Sequence, residues 1–328
     1  MRGSWLTPVI IVTLAVVFVM SLLIGRVWLN PLQIVHDMLA PTPQLAALIV
    51  TDLRLPRAVL ACIVGATLGL SGAVLQGLTR NPLAEPGLLG VSAGASLGAV
   101  IAIYFGMTSL FEMAGPVMGL VGALAASALT FALGRNGGTL ALILAGTAVS
   151  GLAAALIAVA LNLAPNPYAA YEIMTWLMGS LADRSWNNVL LVLPFVSIGC
   201  AMLFYTSKGI DALSLGEIQA QSLGIDLRRL RVLVVLGTAL AVGATTSVTG
   251  AIGFIGLVAP HLVRPWVGHH PRRILLPAAA LGALLLLSAD MATRLIRIGP
   301  EIKLGVFTSL IGTPFFFWLV IRLRRTSP

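Results

Sequence analysis

Residues 65–99 read GATLGLSGAVLQGLTRNPLAEPGLLGVSAGASLGA, and this stretch decides the fold. It is apolar and rich in glycine, and residues 80–86 (RNPLAEP) interrupt it once with two prolines and a glutamate. These residues cannot continue a helix that faces lipid, because hydrocarbon offers no partner to the backbone groups that the prolines leave unpaired. The sequence therefore predicts two membrane helices, joined either by a loop at the membrane edge or by irregular backbone buried inside the protein.

The composition of the 328-residue chain indicates a polytopic helical membrane protein. Hydrophobic residues make up 58% of it, charged residues only 9%, and the mean hydropathy is +1.01. Too little polar surface remains to coat a soluble protein of this size, so we predict one transmembrane domain over residues 1–328. The net charge of +9 is typical of basic cytoplasmic loops and does not indicate nucleic-acid binding. Residues 6–24 are expected to form the first spanning helix and not a cleaved signal peptide.

Nine long stretches of the chain lack charged residues, and one of them, residues 232–263, decides the helix count. Residues 232–263 comprise 32 residues, more than the roughly 20 that one span needs, and their middle, TTSVTG at 245–250, is polar and β-branched. Dividing this window at Gly250 gives ten helices, puts both termini in the cytoplasm and places 13 of the 20 Lys and Arg residues there, whereas a single helix leaves 10 on each side. Because basic residues favour cytoplasmic loops, we predict ten helices.

Two long extracytoplasmic connections separate the predicted helices. They cover residues 26–55 and 162–187, and a short helix lying at the membrane interface is expected at 176–181 within the second one. The spanning helices are expected near 6–25, 56–77, 90–106, 115–134, 139–161 and 188–206, on either side of Gly250 within 232–263, and near 274–292 and 304–321.

The long cytoplasmic connection at 208–231, which we call the coupling segment, carries apolar side chains that a loop in water should not expose. They are Leu213, Leu215, Ile218 and Leu223. The segment is too short to form a core of its own, so we expect it to dock on a partner. The alternative is an amphipathic helix lying on lipid. Gly216 and Gly224 favour the docking interpretation, because each can end a helix and allow a sharp turn.

The chain resembles the iron-siderophore, haem and cobalamin permease family, the membrane subunits of type II ABC importers, along nearly its whole length. Seven motifs in matching order carry the resemblance: RLPR at 54–57, the run 65–99 with RNPLAEP, Trp176 with GSL at 179–181, LGE at 215–217 with LG at 223–224, GAIGFIGLVAPHLVR at 250–264, AD at 289–290 with Arg294, and residues 305–316. One departure is Lys303, where many relatives have a proline, and it concerns the outer start of helix 10.

The resemblance implies an all-α type II ABC importer permease fold, in which helices 2–5 and 7–10 form related halves of opposite orientation. It also implies a homodimer around a central path in the bacterial inner membrane, two cytoplasmic ATPase subunits and an extracytoplasmic solute-binding protein. The chain has no P-loop, and its only lysines are Lys208 and Lys303. ATP and Mg are therefore expected on the partner ATPase, and this chain is predicted to be a transport subunit that binds no cofactor and is not itself an enzyme.

The resemblance assigns three groups of site residues. The first inserts into a groove on the ATPase, where Glu217 would pair with a basic group of the partner and leave the fold of its own chain largely untouched. The second receives the binding protein on the outer face, and the third forms the translocation path and its gate. The ATPase-coupling group comprises Asp211, Leu215, Gly216, Glu217, Ala220, Leu223 and Gly224. The docking group for the binding protein comprises Arg54, Arg57 and Arg294. The path and gate group comprises Arg135, Asn136, Gly138, Thr139, Thr147 and Ser150.

Two of these groups have an alternative interpretation. Arg54 and Arg57 are three residues apart around Pro56, which is expected to start helix 2, so both guanidinium groups could project from one outer rim. The outer arginines could instead reach lipid phosphate or pair with Asp52 or Asp290. Positions on helix 5 could pack against lipid and not line a path.

The preferred function is the permease subunit of an ATP-driven importer for a large iron complex (ferric siderophore or haem) or cobalamin, with the iron complex favoured only because that use is widespread in the family. The alternative is an ion-coupled secondary transporter, which usually places ionisable groups at membrane depth. Residues 58–79, 113–134 and 304–321 contain no charge. A membrane enzyme is less consistent, because the four histidines and two cysteines show no metal-ligand pattern.

Overall fold

The computed structural model describes residues 5–25, 27–40, 44–135, 137–268, 270–296 and 301–326, with the backbone alone described at 320 and 322–326. All regular secondary structure within these ranges is helical. A helix lies at each of the ten predicted positions: α1 (Leu6–Leu23), α2 (Leu55–Thr79), α3 (Val91–Tyr104), α4 (Ala114–Gly134), α5 (Gly138–Asn162), α6 (Trp186–Tyr205), α7 (Leu227–Thr249), α8 (Ile255–Val263), α9 (Pro271–Leu295) and α10 (Leu304–Thr326). Shorter helices in the connections are Pro31–Leu39, Met107–Leu110, Pro167–Leu177, Ser207–Leu213 and Glu217–Ser222, and Pro86–Leu89 is a 3-10 turn.

Seven of the described helices are long and apolar enough to cross a membrane, namely α1, α2 with its N-terminal extension, α4, α5, α6, α7 and α9. The apolar parts of α3 and α10 are shorter. The nine residues of α8, at about 1.5 Å each, cover less than half of a hydrocarbon core of roughly 30 Å. The all-helical membrane architecture is thus confirmed, while the count of ten spans stays a prediction.

The start of α2 differs from the prediction. Leu45–Leu48 continues through the π-helix Ile49–Arg54 into α2, so Pro56 lies inside a continuous helical segment and does not begin it. In an α-helix, a proline ring clashes with the carbonyl four residues earlier and removes one N–H donor. The wider π-helical turn before Pro56 relieves that clash, which is why the helix extends upstream of the proline.

Direct backbone contact between α2 and α9 forms the centre of the bundle. A Cβ atom on Gly65 would lie 2.3 Å from the carbonyl oxygen of Gly282, and one on Gly282 would lie 2.2 Å from that of Gly65. No side chain fits at either position. Close approach through small residues is how membrane helices gain packing contacts without a hydrophobic driving force.

The packing of α7 repeats that of α2. In the second half of the chain, α7, α8 and α9 correspond to α2, α3 and α4 of the first half. Helix α2 contacts α8 and α9, and α7 likewise contacts α3 and α4. Helices α2 and α7 also contact each other. In each half the second helix, α3 or α8, follows a break in the helical structure. The last residue of each break has a left-handed backbone conformation: Gly90 (φ 75°) before α3 and Phe254 (φ 67°) before α8. These correspondences agree with the predicted inverted repeat of helices 2–5 and 7–10.

The break at 80–86 combines the two alternatives that the sequence leaves open. Arg80 and Asn81 are exposed, whereas Ala84 and, just beyond the break, Leu89 are buried. The carbonyl oxygen of Leu89 accepts a hydrogen bond from Thr130 Oγ1 at 3.1 Å. Irregular backbone persists inside a membrane protein only when it finds partners of this kind.

The helix predicted at 176–181 is wrong in position. The helix of this connection is Pro167–Leu177. Asn166 Oδ1 accepts the N–H of Ala169 at 2.9 Å, so the Asn-Pro pair caps and starts the helix. It ends before Gly179, whose φ of 68° is left-handed.

Candidate functional site

The coupling segment begins with two short helices that meet at a sharp turn. Ser207–Leu213 and Glu217–Ser222 are joined through Gly216, whose φ of 118° strongly favours glycine. Gly224, with a φ of 82°, follows the second helix and leads to α7. The two glycines thus lie at the two bends of the segment.

One side of the coupling segment is buried, and the other exposes three large apolar side chains. Leu215, Ile218 and Leu223 have exposed fractions of 64%, 76% and 63%. Ala220 is fully buried in the protein's own core. Ala220 therefore faces the bundle of its own chain, and its assignment to the ATPase-coupling group stays a prediction.

Asp211 connects the coupling segment to α9. Its Oδ1 accepts the backbone N–H of Arg272 in the first turn of that helix, at 2.8 Å. The first N–H groups of a helix lack partners within the helix, and a carboxylate there also complements the helix dipole. Asp211 therefore holds the segment in register with α9, a role that the sequence does not predict.

Glu217 joins the coupling segment to two further helices. Its Oε1 accepts hydrogen bonds from Arg231 Nη2, at 3.2 Å, and from Thr139 Oγ1, at 3.1 Å. Arg231 lies in the second turn of α7 and Thr139 in the first turn of α5. The carboxylate is thus part of an internal bridge, which the sequence does not reveal, while pairing of Glu217 with a basic group of the ATPase stays a prediction.

The predicted gate and path residues lie at several places along α5 and before it. Gly138 starts α5 with a φ of 73°, and Arg135 is exposed just before it, while Asn136 lies outside the described residues. Thr147 is exposed, and its hydroxyl donates to a carbonyl of its own helix at 2.9 Å. Ser150 is half-buried, with its hydroxyl 3.5 Å from the carbonyl oxygen of Gly87. Of these residues, the structure brings Thr139 to Glu217 and leaves Thr147 and Ser150 farther along α5.

A buried ionic cluster ties α2 to α9 and to the residues before α10. Arg57 Nη2 lies 2.8 Å from Asp290 Oδ1, and Arg57 also forms an ion pair with Glu301. Arg294 Nη2 lies 3.1 Å from Asp290 Oδ2. Asp290 is fully buried, so its charge depends on both arginines for stabilisation.

The other bonds of these arginines go to α1 and the connection that follows it. Arg54 donates to the carbonyl oxygens of Leu22, Leu23 and Val27 at 2.9, 2.8 and 2.5 Å. Arg294 donates to Ser21 Oγ at 2.6 Å. These carbonyls surround the end of α1 (Leu6–Leu23), where a helix has no donors of its own to offer.

The expected outer rim of projecting arginines is therefore wrong in its geometry. Arg54 and Arg294 are buried, and only Arg57 keeps an exposed edge. The alternative of internal pairing with Asp290 holds for Arg57 and Arg294, whereas Arg54 binds backbone carbonyls. A contact between these residues and a binding protein stays a prediction.

Glu85 connects the two breaks of the bundle. The backbone N–H of Phe254 donates to its carboxylate. Burial raises the pKa of the Glu85 carboxyl above its ordinary value, and the hydrogen bond from Phe254 opposes that shift.

In the described part of the chain, His, Cys, Asp and Glu side chains form no group of three that could hold a metal ion.

Comparison with known proteins places this arrangement in a family. The model of the FecCD transport family matches residues 13–322. The chain belongs to that family. Its membership identifies a multi-pass inner-membrane permease of the iron-chelate, haem and vitamin B12 type of ABC importer, a class that works with ATPase and substrate-binding partners.

Individual FecCD relatives are similar over most of their length. The hemin transport system permease protein HmuU of Yersinia pestis is 40% identical over 279 residues, 83% of either chain. The vitamin B12 import system permease protein BtuC of Vibrio cholerae is 39% identical over 311 residues, 93% of this chain and 90% of its own. A solved structure assigned to the metal-chelate type of ABC transporter, in an inward-facing conformation, has a TM-score of 0.84 at 32% identity and covers 96% of this chain and 98% of its own.

Sequence reasoning missed the partners of the site residues. Arg231 is not distinguished from the neighbouring basic residues by any local pattern, and Glu301 lies 244 positions from Arg57. Only the fold brings such pairs together. Asp290 is the exception, because an acid four residues before Arg294 on one helix is a signal for an ion pair.

Proposed function

We propose that this chain is the permease subunit of an ATP-driven importer that moves a large iron complex, either a ferric siderophore or haem, or cobalamin across the bacterial inner membrane. It works as a homodimer with both termini in the cytoplasm, where two ATPase subunits bind ATP and Mg. An extracytoplasmic solute-binding protein delivers the cargo. The names of the haem and vitamin B12 relatives support this cargo class. Measuring the affinity of the cognate binding protein for haem, cobalamin and ferric hydroxamates would identify which of these compounds is the cargo.

The bridge at Glu217 carries the proposal. A permease without an ATP site needs a mechanical link between the ATPase and the path. The exposed Leu215, Ile218 and Leu223 provide the apolar surface for the ATPase, and Glu217, within the same turn, is bonded to Thr139 at the start of α5. A displacement of the segment therefore moves the end of the helix that carries the proposed path residues Thr147 and Ser150.

An ion-coupled secondary transporter is the alternative, and the ionic cluster does not favour it. Such a mechanism needs an acid that can bind a proton or sodium ion within the membrane. Here both carboxylates of the cluster, Asp290 and Glu301, are paired with Arg57, and Asp290 also pairs with Arg294. The two carboxylates therefore stabilise the contact between helices and are not free to bind a transported ion.

Charging the exposed face of the coupling segment tests the ATPase contact. The variant Ile218→Asp should prevent co-purification of the ATPase, because an aspartate desolvated in an apolar interface costs several kcal/mol. The matched control is Leu110→Asp, at a residue that is 88% exposed on another turn. Retention of the ATPase by the Ile218 variant, measured by pull-down at equal permease amounts, would contradict the proposed docking surface.

Glu301→Gln tests whether the outer arginines receive the binding protein. This change removes one of the two carboxylate partners of Arg57 and keeps Asp290. If Arg57 docks an acidic group, association with the binding protein should become faster, most clearly at low salt. Glu172→Gln, which removes an exposed acid from the helix Pro167–Leu177, controls for net charge. An association rate that is the same for both variants would leave Arg57 with a purely structural role.

A further inference from the structure

A cavity of about 480 Å³ opens where α6 ends and α7 begins. Its lining includes Tyr205 at the end of α6, Lys208 in the helix Ser207–Leu213, and Arg229 and Leu233 in the first two turns of α7. Both α6 and α7 are long and apolar enough to span the membrane. The cavity therefore lies at the level where lipid head groups meet water.

The cavity presents two cations. Lys208 and Arg229 are exposed, and in the part of the chain that the structure describes neither forms an ion pair. The guanidinium carbon of Arg229 lies 6.0 Å from the centre of the Tyr205 ring, which is within the range of a cation–π contact. This contact keeps Arg229 at the wall of the cavity while its N–H groups remain available to an anion.

The acid of the cavity is already bonded within the chain. Asp226 Oδ1 accepts the backbone N–H groups of Arg228 and Arg229, at 2.9 and 3.0 Å, and so caps α7. Part of its negative charge is balanced by the positive end of that helix. The field inside the cavity is thus set chiefly by Lys208 and Arg229.

The apolar side of the cavity identifies the source of the anion. Phe204 and Tyr205, the last residues of α6, have exposed fractions of 39% and 66%. Aromatic residues at the end of a span lie against lipid at head-group depth. A free phosphate ion would leave these rings uncovered, whereas a phospholipid can place its phosphodiester between the two cations and its chains along α6 and α7.

We propose that this cavity binds the head group of an anionic phospholipid such as phosphatidylglycerol. Basic cavities between membrane helices attract anionic lipids, and each Lys or Arg near the surface adds about 1 kcal/mol, which is about fivefold in affinity. The cavity adjoins the coupling segment, since Gly224 lines it, but Leu215, Ile218 and Leu223, which we propose for the ATPase contact, do not line it.

Native mass spectrometry of the intact importer complex, titrated with phosphatidylglycerol or phosphatidylcholine, tests the proposal. The double variant Lys208→Gln and Arg229→Gln should lower the affinity for phosphatidylglycerol roughly 30-fold and leave phosphatidylcholine unaffected. The control pair Arg272→Gln and Arg273→Gln removes the same charge from exposed positions outside the cavity and should have no effect. An equal loss in both pairs would overturn the proposal, because it would show diffuse attraction and no site.

A second variant, which should raise the affinity for phosphatidylglycerol, keeps the proposal testable if the double variant fails to fold. Asp226→Asn keeps a good N-cap and removes the negative charge, so phosphatidylglycerol should bind more tightly. An unchanged affinity would count against the cavity as the site.

Competition with inorganic phosphate distinguishes a lipid site from a site for small anions. If millimolar phosphate fully displaces phosphatidylglycerol, the cavity binds small anions and the lipid assignment is refuted. If phosphate competes only weakly, the lipid assignment is supported.

Discussion

Replacement of Glu217 by lysine is expected to lower ATP-dependent transport at least about tenfold. The new ammonium group would face the guanidinium of Arg231, where the carboxylate now accepts from Arg231 and Thr139. Loss of this bridge should disconnect the coupling segment from α5. Transport into proteoliposomes and ATPase stimulation by the loaded binding protein measure the effect.

Three further variants separate coupling from folding. Combining Glu217→Lys with Arg231→Glu restores an ion pair of reversed polarity and should recover part of the transport. Thr139→Val removes only one hydrogen bond and should give an intermediate value. The control Glu112→Lys makes the same charge change at an exposed residue outside the segment and should behave like the wild type. Because the Glu217 pair is partly exposed, thermal stability should change little; normal coupling in the Glu217 variant would refute the bridge.

Asp290→Asn is expected to lower the free energy of unfolding by about 3 kcal/mol. Asp290 is fully buried and bonded to both Arg57 and Arg294, so the change leaves two buried cations with weaker partners. The amide has almost the same shape as the carboxylate, so the effect measures the charge and not a cavity. Denaturant unfolding of the purified permease in detergent provides the measurement.

The control for Asp290 is Asp52→Asn. Asp52 is exposed, and its carboxylate accepts from the neighbouring Thr51, so the change should stay within about 0.5 kcal/mol. If both variants unfold alike, the cluster contributes little to stability and the arginines are held chiefly by backbone carbonyls.

The helix positions could be predicted because hydropathy and charge are local properties of the sequence. Residues 65–99 and the polar middle at 245–250 locate the breaks before α3 and α8, and both are present. The start of α2 and the helix Pro167–Leu177 could not be placed correctly. Pro56 is accommodated inside a helical segment by the π-helical turn before it, whereas the Asn-Pro pair at 166–167, which suggests a break, caps and starts a helix.

The site was less predictable than the fold, since its residues are joined by contacts between distant parts of the chain. The exposed Leu215 and Leu223 could be singled out because they are apolar residues in a segment that the charge distribution predicts to be cytoplasmic. The bonds of Glu217 to Thr139 and of Arg57 to Asp290 link positions that are 78 and 233 residues apart. A single sequence identifies such residues as charged or polar, and cannot show whether they face a partner or their own fold.

The backbone contact at Gly65 and Gly282 limits which parts of the bundle can move independently. Helices separated by flexible side chains can slide past each other in small steps, because the side chains change rotamer to follow the motion. Here each glycine lies against the other's carbonyl, with no side chain between them to adjust. We therefore expect α2 and α9 to keep their mutual position, so that rearrangements of the bundle involve the other helices.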